Sequence, residues 1–379
     1  MDFSYSEEQQ DIRNLAQQIL GDQCAPERLK KLESESQYFD RELWQALCEA
    51  GLTGIALAEQ FGGMGYNFES LCILLEEAGR NVAKLPLLPV LVGAALPIQA
   101  YASEAQKQAL LPDIIAGKSL VTWARIEPNN ENVHAPALAA RSVQGGFELS
   151  GRKHCVAVAA DASHIVLAAR DEGGELLVVL LDPKQGGVKI NPQIVTSGET
   201  VYELTLDAAS IDEGSVLAKG QAAKDWLVFA EQHYQGALCA MAVGLCDKMM
   251  RMTASYTTER EQFGRAVATF QAVGHRMADC FKDVECLRLT SQQAIFQLTA
   301  GSASAEEAIT VAKIWCGDVC HRVSQAAQHC HGGIGVDRDY PLFRYCLVAR
   351  EIELSAGSSA ALLQNLGDYI ADAAKSAAA

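Results

Sequence analysis

The sequence predicts a mainly α fold with a central β domain, and three observations carry that expectation. Apolar residues recur at helical spacing in the first third of the chain. The period shortens to strand-like runs in the middle. Helical spacing returns after residue 221 and holds to the end. The expected order is therefore an N-terminal helical domain (1–118), a middle β domain built as an antiparallel barrel or sandwich (119–220), and a C-terminal four-helix bundle (221–379).

The first segment opens on Ser6 with Gln9 three residues later, a capping box, with Phe3 ahead of it as a staple for the first turn. Ile12, Leu15, Ile19 and Leu20 then repeat at helical spacing, continued by Leu43, Leu47 and Leu52. The glycines Gly62, Gly63 and Gly65 break the pattern and read as a loop, since no strand precedes them as a dinucleotide fold requires. Glu69 to Arg80 reads as helix again, and the prolines at 86, 89 and 97 are expected to bend the path of the chain.

In the middle segment, 165–169 and 176–181 are short runs rich in β-formers. Asp171-Glu172-Gly173-Gly174 and Asp182-Pro183 bound the second as turns. A third run, 201–206, follows a turn at Gly198. Strands without intervening helices point to an antiparallel barrel or sandwich. Beyond Ala222, one apolar stripe runs through Met277, Phe281, Val284, Leu287, Ile295 and Leu298. Another runs through Ala308, Val311, Trp315, Val319 and Val323 and stops at Gly332-Gly333. A last helix spans about 358–374 with Leu362, Leu363, Leu366 and Ile370. Long helices with one apolar face suit a bundle.

Composition narrows the function. The 379 residues carry 31 Lys+Arg against 47 Asp+Glu, a formal charge of −16, which repels phosphate and argues against a nucleic-acid partner. Hydrophobic residues make up 49%, enough to build several cores, so disorder is excluded. The longest apolar stretch, 85–98, is too short and too proline-rich to span a bilayer. Met1-Asp2-Phe3-Ser4 has neither a basic nor an apolar leader segment, so a cytoplasmic protein with reduced thiols is expected. Cys316, Cys320, His321, His329, Cys330 and His331 invite a metal reading. No Cys-x-x-Cys pair exists, and no carboxylate completes a closed set of four ligands, so small apolar cysteines in a helical core are expected instead and no metal.

Arg260-Glu261-Gln262-Phe263-Gly264-Arg265 reads as a helix ended at Gly264, a turn and a new helix. An Arg beside an exposed Phe at such a place can hold a phosphate and cover a flat ring. With Phe270-Gln271-Ala272 and Ala278-Asp279, this string resembles the flavin-binding hairpin of the acyl-CoA dehydrogenase family. His331-Gly332-Gly333-Ile334-Gly335 with Tyr340-Pro341 and Arg344 resembles a second signature of that family. Gly51-Leu52, Gly54-Ile55, Glu59 to Gly63 and Glu76 to Arg80 resemble a third; Ile126-Glu127-Pro128 and Gly151-x-Lys153 are weaker matches in the strand region.

The resemblance implies an FAD protein, usually a dimer or a dimer of dimers, with FAD between the strand domain and the bundle and its far end clasped by a neighbouring subunit. It further implies that Arg260 binds the pyrophosphate, Phe263 packs on the cofactor and Gln271 bonds its polar tail. Gly332 and Gly333 would let the backbone approach the neighbour's FAD, and His329 stands where the family usually has Gln. The implied reaction is α,β-dehydrogenation of an acyl-CoA thioester. A carboxylate takes the α proton, the β hydrogen leaves as hydride to flavin, and an electron-transfer flavoprotein reoxidises it.

The base is where the chain departs from the family. The usual Glu before the last helix is Ala356, and the alternative place early in the first bundle helix is Tyr234. Glu231 and Glu353, each three residues before one of these, are the substitutes at hand. Catalytic residues therefore remain unassigned. Ile126, Cys155 and Ala157 also replace family residues that face the flavin ring, with Trp123 a candidate replacement for the missing aromatic. The pattern resembles the Glu-less subunit of bacterial heteromeric members, such as those resembling steroid side-chain dehydrogenases, whose partner supplies the carboxylate. A non-catalytic structural subunit and a flavin monooxygenase or oxidase on the same fold are the alternatives.

Overall fold

The computed structural model describes residues 3–378 apart from 38 and 198, so the turn expected at Gly198 lies outside the described residues. In the N-terminal third the helices are α1 (Glu7–Gln23), α2 (Pro26–Ser34), α3 (Arg41–Glu49), α4 (Phe68–Arg80), α5 (Leu96–Tyr101) and α6 (Glu104–Ile115). Eight strands follow: β1 (Val121–Ala124), β2 (Ala139–Val143), β3 (Gly146–Ala157), β4 (His164–Asp171), β5 (Leu176–Leu181), β6 (Val188–Ile194), β7 (Thr200–Asp212) and β8 (Val216–Lys219). The chain ends in α7 (Gln221–Glu259), the hairpin strands β9 (Glu261–Gln262) and β10 (Arg265–Ala266), then α8 (Gln271–Thr299), α9 (Ala305–His331), α10 (Leu342–Leu354) and α11 (Ser359–Ala378).

Local sequence explains the starts and stops. Ser6 and Gln9 form the expected capping box on α1, at 3.2 and 3.1 Å, and Ser103 with Gln106 repeats it on α6. The segment Gly62 to Gly65 is a loop, and α4 begins at Phe68. Two of the prolines expected to bend the path of the chain, Pro89 and Pro97, lie in helical backbone. A π-helical stretch, Leu88–Ala95, leads directly into α5, with Pro89 and Pro97 each in the first turn of its element. At Pro89, where the helical run has only just begun, a missing N–H removes no intrahelical bond. Helix α10 is an element that no apolar stripe in the sequence singled out.

The chain divides into two compact units. One comprises residues 1–31, 68–83 and 235–379; the other comprises 32–67 and 84–234. In the first unit α4 crosses α7 through a glycine notch. A Cβ on Gly244 would fall 1.9 Å from the Glu76 carbonyl oxygen, and one on Gly79 would fall 2.1 Å from that of Met241. Only glycine lets the two backbones approach so closely. Arg80, Glu76, Glu77, Asp247 and Arg288 lock the same crossing with ion pairs, including Arg80 to Glu76 at 2.9 Å and Arg288 to Glu76 at 3.0 Å.

The second unit holds one eight-stranded sheet in the order β6-β7-β3-β2-β4-β5-β8, with β1 added against β4. Most neighbours are antiparallel as expected, but β1–β4 and β2–β4 are parallel, so the sheet is mixed. The β2–β3 hairpin lies between β1 and β4 in sequence and supplies the long crossover a parallel pair needs. Its core is Leu149, Val156, Ile165, Leu167, Leu177, Val179 and Leu204, all fully buried. No helix among the described residues is long and apolar enough to cross a membrane.

Candidate active site and cofactor clasp

In the first unit, α7 ends at Glu259 and the chain reverses through a two-residue turn. Phe263 and Gly264 both take positive φ, +55° and +77°, as a tight hairpin between β9 and β10 requires. The Val267 amide closes it by donating to the Arg260 carbonyl at 2.8 Å. The turn lifts the Phe263 ring to 92% exposure, while the Arg265 guanidinium covers the Phe270 ring at 4.1 Å. Arg260 and Gln271 are both exposed, and neither side chain has a hydrogen-bond or ion-pair partner among the described residues.

The end of α9 lies beside the start of α8. Arg276 Nη1 and His329 Nδ1 are hydrogen-bonded between these helices. Beyond His329 the helix stops at Gly332, whose φ of +65° with ψ of −140° is open only to glycine, and both Gly332 and Gly333 face open space. His331 is buried behind them and stacks on Tyr256 at 4.3 Å. Its Nδ1 lies 2.8 Å from the Ala327 carbonyl, so that nitrogen carries the proton, and Nε2 accepts from the Tyr340 hydroxyl at 3.1 Å. Burial lowers the His331 pKa and so favours this neutral form. The six clasp residues predicted from sequence thus sit on the hairpin, the first turn of α8 and the C-terminal end of α9. Spacing alone could not reveal the Arg276–His329 contact, because 53 residues separate the partners.

The turn after α10 also belongs to this unit. Ala356 is 3% exposed with φ of +55°, and its carbonyl accepts from Gln235 Nε2 at 3.0 Å. The buried Lys313 ammonium donates to the Gly357 carbonyl at 3.1 Å and to that of Glu353 at 3.4 Å. The Glu353 carboxylate pairs with Arg350 and lies 3.5 Å from His321. Cys316 and Cys320 share a buried face of α9, where Cys320 Sγ lies 3.9 Å from Cys246 Sγ. No group of three or more His, Cys, Asp or Glu among the described residues is arranged to hold a metal.

In the second unit the residues near the strand motifs satisfy one another. Glu231 is held by Arg125 through two hydrogen bonds, one from Nε at 2.7 Å. Burial alone would lower the Arg125 pKa, but Glu231 outweighs it and raises the value. Trp123 is 4% exposed, packs on Gly93 and meets the Tyr234 ring edge-on at 5.7 Å, which makes it a core residue. Lys153 and Glu127 form a buried pair at 2.8 Å, and the Ala137 and Leu138 amides donate to the same carboxylate. Between Lys153 and Val156 the β3–β7 ladder slips. There Cys155 takes φ of +51° and its amide donates to Gln193 Oε1 at 3.1 Å.

Profiles for the N-terminal and C-terminal domains of acyl-CoA dehydrogenases match residues 6–118 and 232–370. The chain belongs to the acyl-CoA dehydrogenase family. Acyl-CoA dehydrogenase FadE27 of Mycobacterium tuberculosis is 31% identical over 98% of this chain and 99% of its own length. FadE28 of the same organism is 28% identical, covering 97% and 98%. Among solved structures, a Tcur3481–Tcur3483 steroid acyl-CoA dehydrogenase variant superposes with a TM-score of 0.89 at 39% identity, covering 97% of this chain and 99% of that one. The ChsE4–ChsE5 complex of M. tuberculosis superposes with a TM-score of 0.91 at 30% identity, covering 98% and 99%.

Acyl-CoA dehydrogenases are oxidoreductases, and their cofactor is FAD. The clasp of this acyl-CoA dehydrogenase-family chain fits the tail of that group on its own chemistry. It offers an unpaired guanidinium, an unpaired amide, an exposed aromatic ring and a glycine pair with open space beside it. The strand unit lacks a hydroxyl at Ile126, Cys155 and Ala157, so at those positions no side chain supplies an O–H donor.

Proposed function

We propose that this chain is an FAD-binding subunit acting in α,β-dehydrogenation of an acyl-CoA thioester, within a heteromer whose partner supplies the catalytic Glu. One contrast carries the reading. Ala356 and Tyr234 occupy the base positions, and the nearest carboxylates in sequence, Glu231 and Glu353, are both engaged in ion pairs. Arg260, Gln271 and Phe263 meanwhile present unused binding groups. A carboxylate whose oxygens already accept from a guanidinium must give up those hydrogen bonds before it can reach a substrate proton.

In this reading Arg260 binds the pyrophosphate, Gln271 bonds the polar tail and Phe263 packs on the cofactor. His329, Gly332 and Gly333 meet the FAD of a neighbouring subunit. Bound FAD supplies the hydride acceptor. This chain's own residues hold and orient that group, and no residue here removes the α proton. The ChsE4–ChsE5 complex supports a heteromer, and the steroid acyl-CoA dehydrogenase Tcur3481–Tcur3483 supports a steroid-derived acyl-CoA as substrate; a dimer of dimers is the proposed assembly. An electron-transfer flavoprotein is the proposed acceptor. A cytoplasmic location goes with that assignment.

The test is to purify the chain alone and co-expressed with its neighbouring gene product, then record the flavin absorbance while titrating acyl-CoA thioesters. Bleaching by the co-expressed complex but not by the lone chain is expected. A lone chain whose flavin bleaches overturns the heteromeric assignment. A colourless complex overturns the cofactor assignment.

A further inference from the structure

We infer that Arg276 is a positioning residue of the clasp. By donating to His329 Nδ1 it fixes the ring as the Nε2–H tautomer, so that His329 offers one defined donor where the family usually carries an amide. The inference rests on the cofactor reading above and deepens it.

The chemistry of the pair leaves little freedom. A guanidinium has five N–H donors and no acceptor, so the nitrogen it meets must accept. Arg276 Nη1 is hydrogen-bonded to His329 Nδ1. The neutral imidazole must then carry its proton on Nε2. His329 is exposed, and no partner engages its Nε2 among the described residues, so the N–H remains available to a ligand.

The surroundings give that donor a purpose. His329 lies three residues before Gly332, in the last turn of α9. Arg276 lies five residues after Gln271, in the second turn of α8. Their contact ties the two halves of the clasp together and orients a side chain that would otherwise rotate freely on the surface. A glutamine amide can turn its NH2 donor towards a ligand by a simple flip. A histidine presents one at a chosen atom only if something sets its tautomer, and Arg276 is placed to do so. The buried His331 is set in the opposite tautomer by the Ala327 carbonyl and Tyr340, so the two histidines flanking Cys330 face different demands.

The experiment combines tautomer and affinity measurements. Histidine labelled with nitrogen-15 in the full-length protein, with the His329 signals identified by their loss in His329→Gln, reports the tautomer directly. Wild type should show Nε2–H at His329, and Arg276→Met should show a mixture. FAD affinity, read by flavin fluorescence on the complex, should weaken about tenfold in Arg276→Met. In a His329→Gln background the same change should cost less than about twofold, because an amide needs no tautomer partner. An unchanged tautomer in Arg276→Met overturns the inference, as does an equal loss of affinity in both backgrounds. Wild-type complex that takes up no FAD overturns the cofactor reading instead, and the tautomer measurement on that sample still decides the role of Arg276.

Discussion

The clasp and the strand unit use the same kinds of side chain in opposite ways. At the clasp Arg260, Gln271 and Phe263 stand exposed, and Arg260 and Gln271 have no polar partner among the described residues. In the strand unit Arg125 closes on Glu231, Lys153 on Glu127 and His154 on Glu203. A group satisfied by its own chain contributes to folding, whereas one left open is available to a ligand. The difference separates residues that hold the molecule together from residues whose binding groups are left open to solvent.

The largest expected effect breaks a satisfied pair. Lys153→Met leaves the Glu127 carboxylate in a buried place without its cation and should cost about 3–5 kcal/mol of stability, measured by chemical denaturation. Burial already lowers the Lys153 pKa even with Glu127 beside it, which shows how far this pair is removed from water. A loss below about 1 kcal/mol would mean that the strand unit does not depend on its internal pairs.

A comparable effect is expected from pH. His233 is buried against Phe229, and burial lowers its pKa from 6.5 to about 4. The folded state therefore disfavours the charged ring. Its stabilisation is complete above about pH 6.5 and is lost as pH falls towards 4, where the unfolded chain binds the proton first. That lowering corresponds to roughly 3 kcal/mol, at about 1.4 kcal/mol for each tenfold change in proton affinity. Denaturation midpoints of wild type and His233→Gln, compared from pH 7 to 4, should show the wild-type decline and its attenuation in the variant. Parallel curves would sink the assignment.

The smallest energetic effect lies at the clasp and sharpens the contrast. Arg260→Met should leave stability within about 0.5 kcal/mol, because the exposed guanidinium serves no fold contact. FAD affinity should fall about 10–100-fold through loss of a charged hydrogen bond. Equilibrium binding and a thermal melt on one preparation separate the two readouts. A variant that loses stability but keeps FAD would reverse the division between the regions.

Much of the fold was legible from periodicity, because burial on one face imposes 3.6-residue and two-residue repeats. The capping box at Ser6, strand β5 at 176–181 and the stop of α9 at Gly332 lie where local chemistry places them. Helix α10 was not, since its buried positions Leu342, Phe343, Arg344, Tyr345 and Cys346 run consecutively and show no stripe. The parallel pairing of β1 with β4 was not, since strand direction depends on a crossover rather than on a local pattern. The prolines at 86, 89 and 97 suggested a bend, and spacing did not show that helical backbone runs through 89 and 97.

By itself the sequence determined the order of helices, strands and bundle, the family to which the chain belongs, and the absence of a carboxylate at position 356. Each of these depends on residue identity and near-neighbour spacing. Only the tertiary structure decided that Glu231 and Glu353 are already paired, that Trp123 is core, and that His329 is met by Arg276. Of the contacts that decide these points, all but the Arg350–Glu353 pair join residues far apart in the chain. Whether a charged or polar group is free to act depends on what folding brings beside it.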